Sequence, residues 1–199
     1  MNNGDVSQGR RRFLIGATSV VGGVGVVGAA VPFVASWNPS AKAEAAGAPV
    51  TVNISKLEPG QQMVVEWRGK PVWVIRRTDE MIENIRELSD RVKDPLSEEA
   101  SQPAYIDGAL RSIKEEYAVI VGICTHLGCS PTFRPEVAPA DLGENWLGGF
   151  YCACHGSRFD LAGRVFPSMP APTNLEVPPY RFDDDNTLTV GLDPEGAAS

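Results

Sequence analysis

All the histidine and cysteine residues of this chain fall in two short segments. Box 1 is residues 124–129, with the sequence CTHLGC, and box 2 is residues 152–157, with the sequence CACHGS. Each box holds one histidine and two cysteines, although the 199-residue chain has only two histidines and four cysteines. Ordinary core residues of these types would be scattered along the sequence. The concentration therefore predicts a metal site, and it requires a fold that brings the two boxes together.

The ligand types allow two kinds of metal site. Two thiolates and two imidazoles suit tetrahedral zinc, and they equally suit a [2Fe-2S] centre in which two histidines bind one iron and two cysteines bind the other. Zinc-finger spacing usually places two cysteines in one box and two histidines in the other, whereas each box here contributes one of each. This pattern favours the [2Fe-2S] centre, with four predicted ligands: Cys124, His126, Cys152 and His155.

With this ligand set, Cys129 and Cys154 are surplus and similarly placed in the two boxes. We therefore predict a disulfide between them that joins box 1 to box 2. The alternatives are a structural zinc site and a set of buried core residues that bind no metal.

The two boxes resemble those of the high-potential Rieske proteins of ubiquinol–cytochrome c reductase, the cytochrome bc complex. The resemblance covers nearly the whole chain: an N-terminal anchor, a linker, the WRGKP segment at residues 67–71, both boxes and the PAP segment at residues 170–172. Rieske ferredoxins and ring-hydroxylating oxygenases lack the second cysteine pair and are disfavoured. The resemblance implies a mainly β protein, an antiparallel β-sandwich Rieske domain with an inserted cluster-binding lobe and one N-terminal transmembrane helix.

The N-terminal sequence predicts export and a membrane anchor. Residues 10–14, RRRFL, fit a twin-arginine signal, which serves bacterial proteins that fold before export. Residues 13–35 carry no charge and would span about 35 Å as a helix, enough to cross a bilayer. Arginines before the span favour a cytoplasmic N-terminus. We therefore predict a cytoplasmic segment at 1–12, an anchor at 13–37 in the bacterial inner membrane, and a periplasmic head.

The alternative is a cleaved signal peptide, because the sequence AKA at residues 41–43 resembles a cleavage site. The family resemblance implies a retained anchor instead. Residues 38–49 are rich in alanine, proline and glycine, a composition typical of a flexible tether. The chain after residue 37 has 15 basic and 24 acidic residues, a net charge of −9. This acidic head is not expected to bind nucleic acid or anionic lipid.

The remaining residues, 50–199, are predicted to form the Rieske domain, and its cluster-binding lobe is predicted at about 122–172. Residues 62–67 and 71–76 are rich in β-formers and are joined by a hairpin signal, RGK. Residues 78–92 have apolar side chains at helical spacing: Met81, Ile85, Leu88 and Val92. Three further extended segments are predicted, at 117–123, 175–177 and 187–190, with a turn at 183–186.

Residues beside the ligands have predicted supporting roles. Gly128 and Gly156 permit tight turns, and Leu127 would either shield the cluster or simply pack. By resemblance, Ser157 donates its hydroxyl to a bridging sulfide of the cluster, and a loop formed by Pro170, Ala171 and Pro172 covers the cluster.

Three positions depart from the pattern of the resembling family: Ala153 stands where proline is common, Met169 stands where a glycine usually precedes the PAP segment, and the third bears on the reduction potential. Phe159 stands where high-potential relatives commonly have a tyrosine that donates a hydrogen bond to a ligand sulfur. A phenyl ring cannot donate this bond, so the sequence predicts a lower reduction potential than a tyrosine would confer.

The resemblance implies an electron-transfer subunit of quinol–cytochrome c reductase. It would accept an electron, with a proton, from quinol at the cytochrome b subunit, where His155 contacts the quinol. It would pass the electron to the c-type cytochrome subunit of a dimeric, proton-translocating respiratory complex. The alternatives are the Rieske small subunit of an arsenite-oxidase-like enzyme and a zinc-stabilised binding module without redox activity.

Overall fold

The structure is a computed structural model that describes residues 7–99 and 101–197 of the chain. The chain divides into two compact units, with the boundary between Ala45 and Ala46. Each unit has its own architecture: the first is helical, and the second consists mainly of antiparallel sheets.

The first unit contains one long helix, α1, at Gln8–Ala35. The side chain of Ser7 caps its first turn by accepting a hydrogen bond from the Arg10 N–H. The helix begins before the arginines rather than at residue 13, because arginine is itself a good helix former. None of its residues is buried. By length and composition, α1 can cross a membrane, as the uncharged run predicted.

A second helix, α2, spans Ala41–Gly47 and lies inside the segment predicted to be a tether. Its sequence, AKAEAAG, contains the residues with the highest helix propensity, which explains why it is helical. The flexibility of residues 38–49 as a whole remains a prediction.

The second unit contains three antiparallel sheets of three strands each. Sheet A has the strand order β1-β9-β8, sheet B the order β2-β3-β4, and sheet C the order β5-β6-β7. The strands are β1 Val50–Asn53, β2 Gln62–Trp67, β3 Lys70–Arg76, β4 Tyr117–Val121, β5 Thr132–Val137, β6 Leu147–Cys152, β7 Ser157–Asp160, β8 Tyr180–Phe182 and β9 Thr187–Val190. All of sheet C falls between β4 and β8 in the chain, so it is an inserted lobe, and the predicted mainly β antiparallel fold is confirmed.

The backbone conformation of the turn explains the β2–β3 hairpin. Arg68 and Gly69 have φ values of 53° and 70°, the left-handed conformations that a tight two-residue hairpin turn requires. The turn is one residue shorter than predicted, since Lys70 already pairs with Trp67 across the hairpin.

The predicted amphipathic helix is present as α3, Asp79–Glu87, followed by a 3-10 turn at Leu88–Arg91. The side chain of Thr78 caps α3 by accepting a hydrogen bond from the Met81 N–H. The predicted stripe contacts the core, because all four of its members are buried: Met81, Ile85, Leu88 and Val92. We refer to residues 79–99, which contain α3 and the 3-10 turn, as the helical insertion.

Sheet B is the middle layer of the unit. Strand β4, YAVIV, is buried along its whole length. Val119 and Val121 belong to a core cluster shared with sheet A, whereas Ala118 and Ile120 belong to a cluster shared with sheet C. A strand buried on both faces has no polar–apolar alternation, which explains its uninterrupted apolar run.

Two predicted extended segments differ from the structure. Strand β4 stops at Val121, before the predicted end at residue 123. Residues 175–177 form no named strand within the described part of the chain, although the Glu176 carbonyl accepts a hydrogen bond from the Val121 N–H.

Candidate metal centre

The two boxes form the same backbone turn at different places in the fold. Box 1 follows β4, and box 2 connects β6 to β7. In box 1 the Gly128 N–H donates to the Cys124 carbonyl (3.1 Å), and in box 2 the Gly156 N–H donates to the Cys152 carbonyl (2.9 Å). The two glycines have φ values of 83° and 80°, which side chains rarely adopt. The tight turns predicted at both glycines are therefore present.

The four predicted ligands lie together as two pairs. Cys124 and Cys152 are free thiols, each only 2% exposed. The rings of His126 and His155 face each other edge to face, with centroids 4.6 Å apart. One thiol and one imidazole of this set come from each box, as the sequence pattern required.

An unpaired nitrogen in box 1 supports metal binding. The Nδ1 atom of His126 is buried and has no hydrogen-bond partner among the described residues. Buried polar atoms are normally paired, so this nitrogen is available as a ligand. Two buried thiols with such an imidazole nitrogen fit the mixed Cys/His donor set of a [2Fe-2S] cluster.

The predicted disulfide between Cys129 and Cys154 is present and joins the boxes. A second grouping of sulfurs lies beside it, because the Sγ atoms of Cys129, Cys152 and Cys154 are all within 4.8 Å of one another. This trio does not form an alternative ligand set in the oxidised protein, since disulfide sulfurs are not thiolates. It shows instead that the disulfide lies directly next to the Cys152 thiol.

The environment of Cys124 opposes ionisation until a cation is present. Burial raises the pKa of the Cys124 thiol, and the neighbouring Cys152 thiol acts in the same direction. The backbone N–H of His126 and the hydroxyl of Ser157 lower that pKa. A bound metal would supply the positive charge that stabilises both thiolates in this buried position.

Ser157 connects box 2 to the predicted covering loop. It is fully buried, and its Oγ accepts a hydrogen bond from the Ala171 N–H at 3.1 Å. Ala171 is also buried and belongs to the same core cluster as Cys124 and Cys152. On the other side, the Thr125 hydroxyl of box 1 donates to the Thr173 carbonyl at 2.7 Å. The loop is thus fastened to both boxes.

Leu127 and Phe159 occupy opposite environments. Leu127 is 71% exposed, which argues against a packing role for its side chain. His155 is likewise exposed, together with Ala153 and Cys154 of box 2. Phe159 is completely buried and pairs with Phe150 across the β6–β7 ladder.

Sequence reasoning missed the polar bonds that support the covering loop from outside the boxes. A buried ion pair joins Arg164 to Asp160, and the Lys93 ammonium donates to the Pro172 carbonyl. One signal was visible in the sequence: Arg164 interrupts an otherwise uncharged run at residues 161–166. A charged residue in such a run is typical of a buried, paired side chain. Nothing local marks Lys93.

Two family models match the chain. Residues 48–180 match the model described as "Rieske [2Fe-2S] domain". Residues 1–40 match the model described as "Ubiquitinol-cytochrome C reductase Fe-S subunit TAT signal". The first match contains both boxes and the covering loop, and the second contains the arginines and helix α1.

Curated relatives agree with these matches over nearly the full length. A protein of Allochromatium vinosum named "Ubiquinol-cytochrome c reductase iron-sulfur subunit" is 58% identical over 188 residues, which cover 94% of this chain and 91% of the relative. A protein of the same name from Bradyrhizobium diazoefficiens is 40% identical, with 92% and 94% covered. A solved chain titled "Hyperthermophilic respiratory Complex III" is 28% identical and covers 89% of this chain and 98% of its own, with a TM-score of 0.48.

Proposed function

Since this chain belongs to the Rieske iron–sulfur subunits of ubiquinol–cytochrome c reductase, we propose that its two boxes hold the cluster that oxidises quinol. The cluster would accept one electron, together with a proton, from quinol at the cytochrome b subunit. The protein is an electron-transfer subunit of this oxidoreductase and holds a [2Fe-2S] cluster. Family membership decides against the arsenite-oxidase-like subunit and the zinc-stabilised module.

The cluster supplies a one-electron acceptor whose potential is raised by histidine ligation. In our proposal Cys124 and Cys152 hold one iron, and His126 and His155 hold the other. The burial of both thiols and the unpaired His126 Nδ1 support this ligand set. Ser157 accepts from the Ala171 N–H, and its hydroxyl lowers the pKa of the Cys124 thiol, which supports a hydrogen bond from Ser157 to sulfur in the proposed cluster.

The observation that carries the proposed quinol contact is the contrast between buried thiols and an exposed histidine. A neutral imidazole that binds metal through one nitrogen keeps a second nitrogen for hydrogen bonding. In His155 this second nitrogen carries an N–H when the imidazole is neutral, and only after it has released that proton can it accept a hydrogen bond from a quinol hydroxyl and take up the quinol proton. The exposed Leu127 side chain offers an apolar surface to the quinol ring and to the protein that surrounds it.

The membrane arrangement is part of the proposal. Helix α1 would remain as a single-pass anchor, with the arginines on the cytoplasmic side and the head on the periplasmic side of the bacterial inner membrane. The head would deliver its electron to the c-type cytochrome subunit, and the proton would leave on the periplasmic side. The dimeric state of the complex is likewise proposed.

Substituting Leu127 in the assembled complex tests the quinol contact. Leu127→Ala should slow quinol-dependent reduction of the c-type cytochrome about ten- to a hundredfold, because burying a leucine side chain contributes about 1.5–3 kcal/mol and 1.4 kcal/mol corresponds to a factor of ten. The electron paramagnetic resonance spectrum of the reduced cluster should stay unchanged.

Leu192→Ala is the matched control, since Leu192 is also partly exposed but follows strand β9 in sheet A. It should leave turnover unaffected. Normal turnover in Leu127→Ala would contradict the proposed contact at box 1.

A further inference from the structure

The helical insertion is bonded to the segment that carries the covering loop. The Lys93 backbone N–H donates to the Val165 carbonyl at 2.9 Å. The Asn174 side chain accepts from the Val165 N–H at 2.8 Å and donates to the Asp94 carbonyl at 2.8 Å. These contacts bracket the covering loop on both sides, because Val165 precedes it and Asn174 follows it.

A buried ion pair strengthens the same junction. Arg164 and Asp160 are both completely buried, and their side chains form a salt bridge. The Arg164 guanidinium also donates to the Ser89 hydroxyl at 3.1 Å and to the Ile85 carbonyl. A buried guanidinium is tolerated only when its donors are satisfied, so the chain must keep this geometry. The helical insertion is therefore a firm support for the loop.

The covering loop has few bonds of its own. Proline has no N–H, so the Ala171 N–H is the single backbone donor of the PAP segment, and it is used by Ser157. The next carbonyl, from Pro172, accepts from the Lys93 ammonium at 2.6 Å. The following carbonyl, from Thr173, accepts from Thr125. Three successive residues are thus held by box 2, by the helical insertion and by box 1.

Lys93 contributes a charge as well as a hydrogen bond. Its ammonium lies 3.6 Å from Glu99, and the lysine side chain is 47% exposed. Glu99 is more exposed than Lys93, so this ion pair is weak, whereas the bond to the Pro172 carbonyl is charge-assisted. The positive charge of the Lys93 ammonium therefore lies next to the covering loop, which packs against the buried thiols. Reduction makes the metal centre more negative, and a nearby cation favours that state.

We propose that Lys93 is a positioning residue for the metal centre. It holds the Pro172 carbonyl, keeps the Ala171 N–H on Ser157, and so raises the midpoint potential of the cluster. The inference rests on the proposed assignment of the boxes as the cluster site. It gives the helical insertion a role in tuning that site.

The test compares three variants of the full-length subunit in the assembled complex: Lys93→Met, Lys93→Arg and Lys114→Met. Methionine keeps the apolar stem of lysine but removes both the donor and the charge. Lys114 is a similarly exposed lysine that pairs with Asp185, and among the described residues its side chain has no hydrogen bond or ion pair to the boxes or the loop. Two quantities are measured: the midpoint potential, by redox titration of the paramagnetic signal, and hydrogen exchange of the peptide that contains the Ala171 amide.

Lys93→Met should lower the midpoint potential and accelerate exchange at Ala171, Lys93→Arg should restore most of both, and Lys114→Met should change neither. An unchanged potential and unchanged exchange in Lys93→Met would overturn the proposal, as would an equal drop in Lys114→Met. Absence of a mixed His/Cys [2Fe-2S] signal from the wild-type protein would instead refute the cluster assignment. The two failures are therefore distinguishable.

Discussion

Box 1 and box 2 share one backbone turn but are held in place by different means. Box 2 lies within a β-hairpin, and Cys152, the last residue of β6, pairs with Ser157, the first residue of β7. Box 1 follows the end of β4 and closes on itself, since the Cys124 N–H donates to the Cys129 carbonyl at 2.7 Å. The sheet therefore fixes box 2, whereas box 1 depends on its own turn, on the disulfide and on the covering loop.

The two boxes also differ in the side chains that they expose to solvent. Box 2, which the sheet holds, exposes the polar ring of His155. Box 1, which follows the end of β4, exposes the apolar side chain of Leu127. His126 keeps its Nδ1 buried. In the proposed function both boxes bind the cluster, and box 1 would contact the partner protein with an apolar side chain and box 2 with a polar ring.

The largest expected effect is the loss of the cluster on substitution of either predicted thiolate ligand. Cys124→Ser and Cys152→Ser should both abolish cluster binding, because a serine hydroxyl does not replace a thiolate at a soft metal site. Iron content per chain and the reduced paramagnetic signal measure this. Equal losses would show that the two boxes are equivalent as ligand donors.

The control is the double variant Cys129→Ser, Cys154→Ser, which should retain iron. It should lower the free energy of unfolding of the cluster-free protein by about 3.5 kcal/mol, the chain-entropy value for a loop closed over 25 residues. If the double variant lost its iron and Cys124→Ser kept it, the neighbouring trio of sulfurs, rather than the predicted set, would be the metal site.

An intermediate effect is expected from the two turn glycines. Gly128→Ala and Gly156→Ala should each cost about 1–2 kcal/mol, because both positions need a left-handed conformation. An added Cβ would meet no atom within 4 Å at either site, so strain alone sets the cost. Denaturant unfolding of the two variants measures it. A much larger cost at one glycine would show that the two turns are not energetically equivalent.

The smallest expected effect lies beside box 2, at Phe159. Phe159→Tyr should raise the midpoint potential by about 20–65 mV, the equivalent of one hydrogen bond of about 0.5–1.5 kcal/mol for a one-electron couple. Redox titration of the reduced signal measures the shift, and Phe133→Tyr is a control, because Phe133 packs against the same core cluster. An unchanged or lower potential would mean that the hydroxyl does not reach a ligand sulfur.

The parts of the fold that sequence could predict are those with local causes. The β2–β3 hairpin follows from Arg68 and Gly69, and α3 follows from the Thr78 cap and its apolar stripe. Sheet C was not predicted strand by strand, because β5 contains Pro135 and β6 contains a pair of glycines. Gly149 is required by the close approach of β7, since an added Cβ would clash with the Phe159 carbonyl.

By itself, the sequence determined the donor types of the metal site, the turn that presents them and the disulfide partners. These depend on neighbouring residues and on the chemistry of cysteine and histidine. Only the tertiary structure decided that the Nδ1 atom of His126 is buried while His155 is exposed, and that Lys93 holds Pro172 from 79 residues away. Burial and long-range hydrogen bonds arise from packing between distant segments, and no local pattern encodes them.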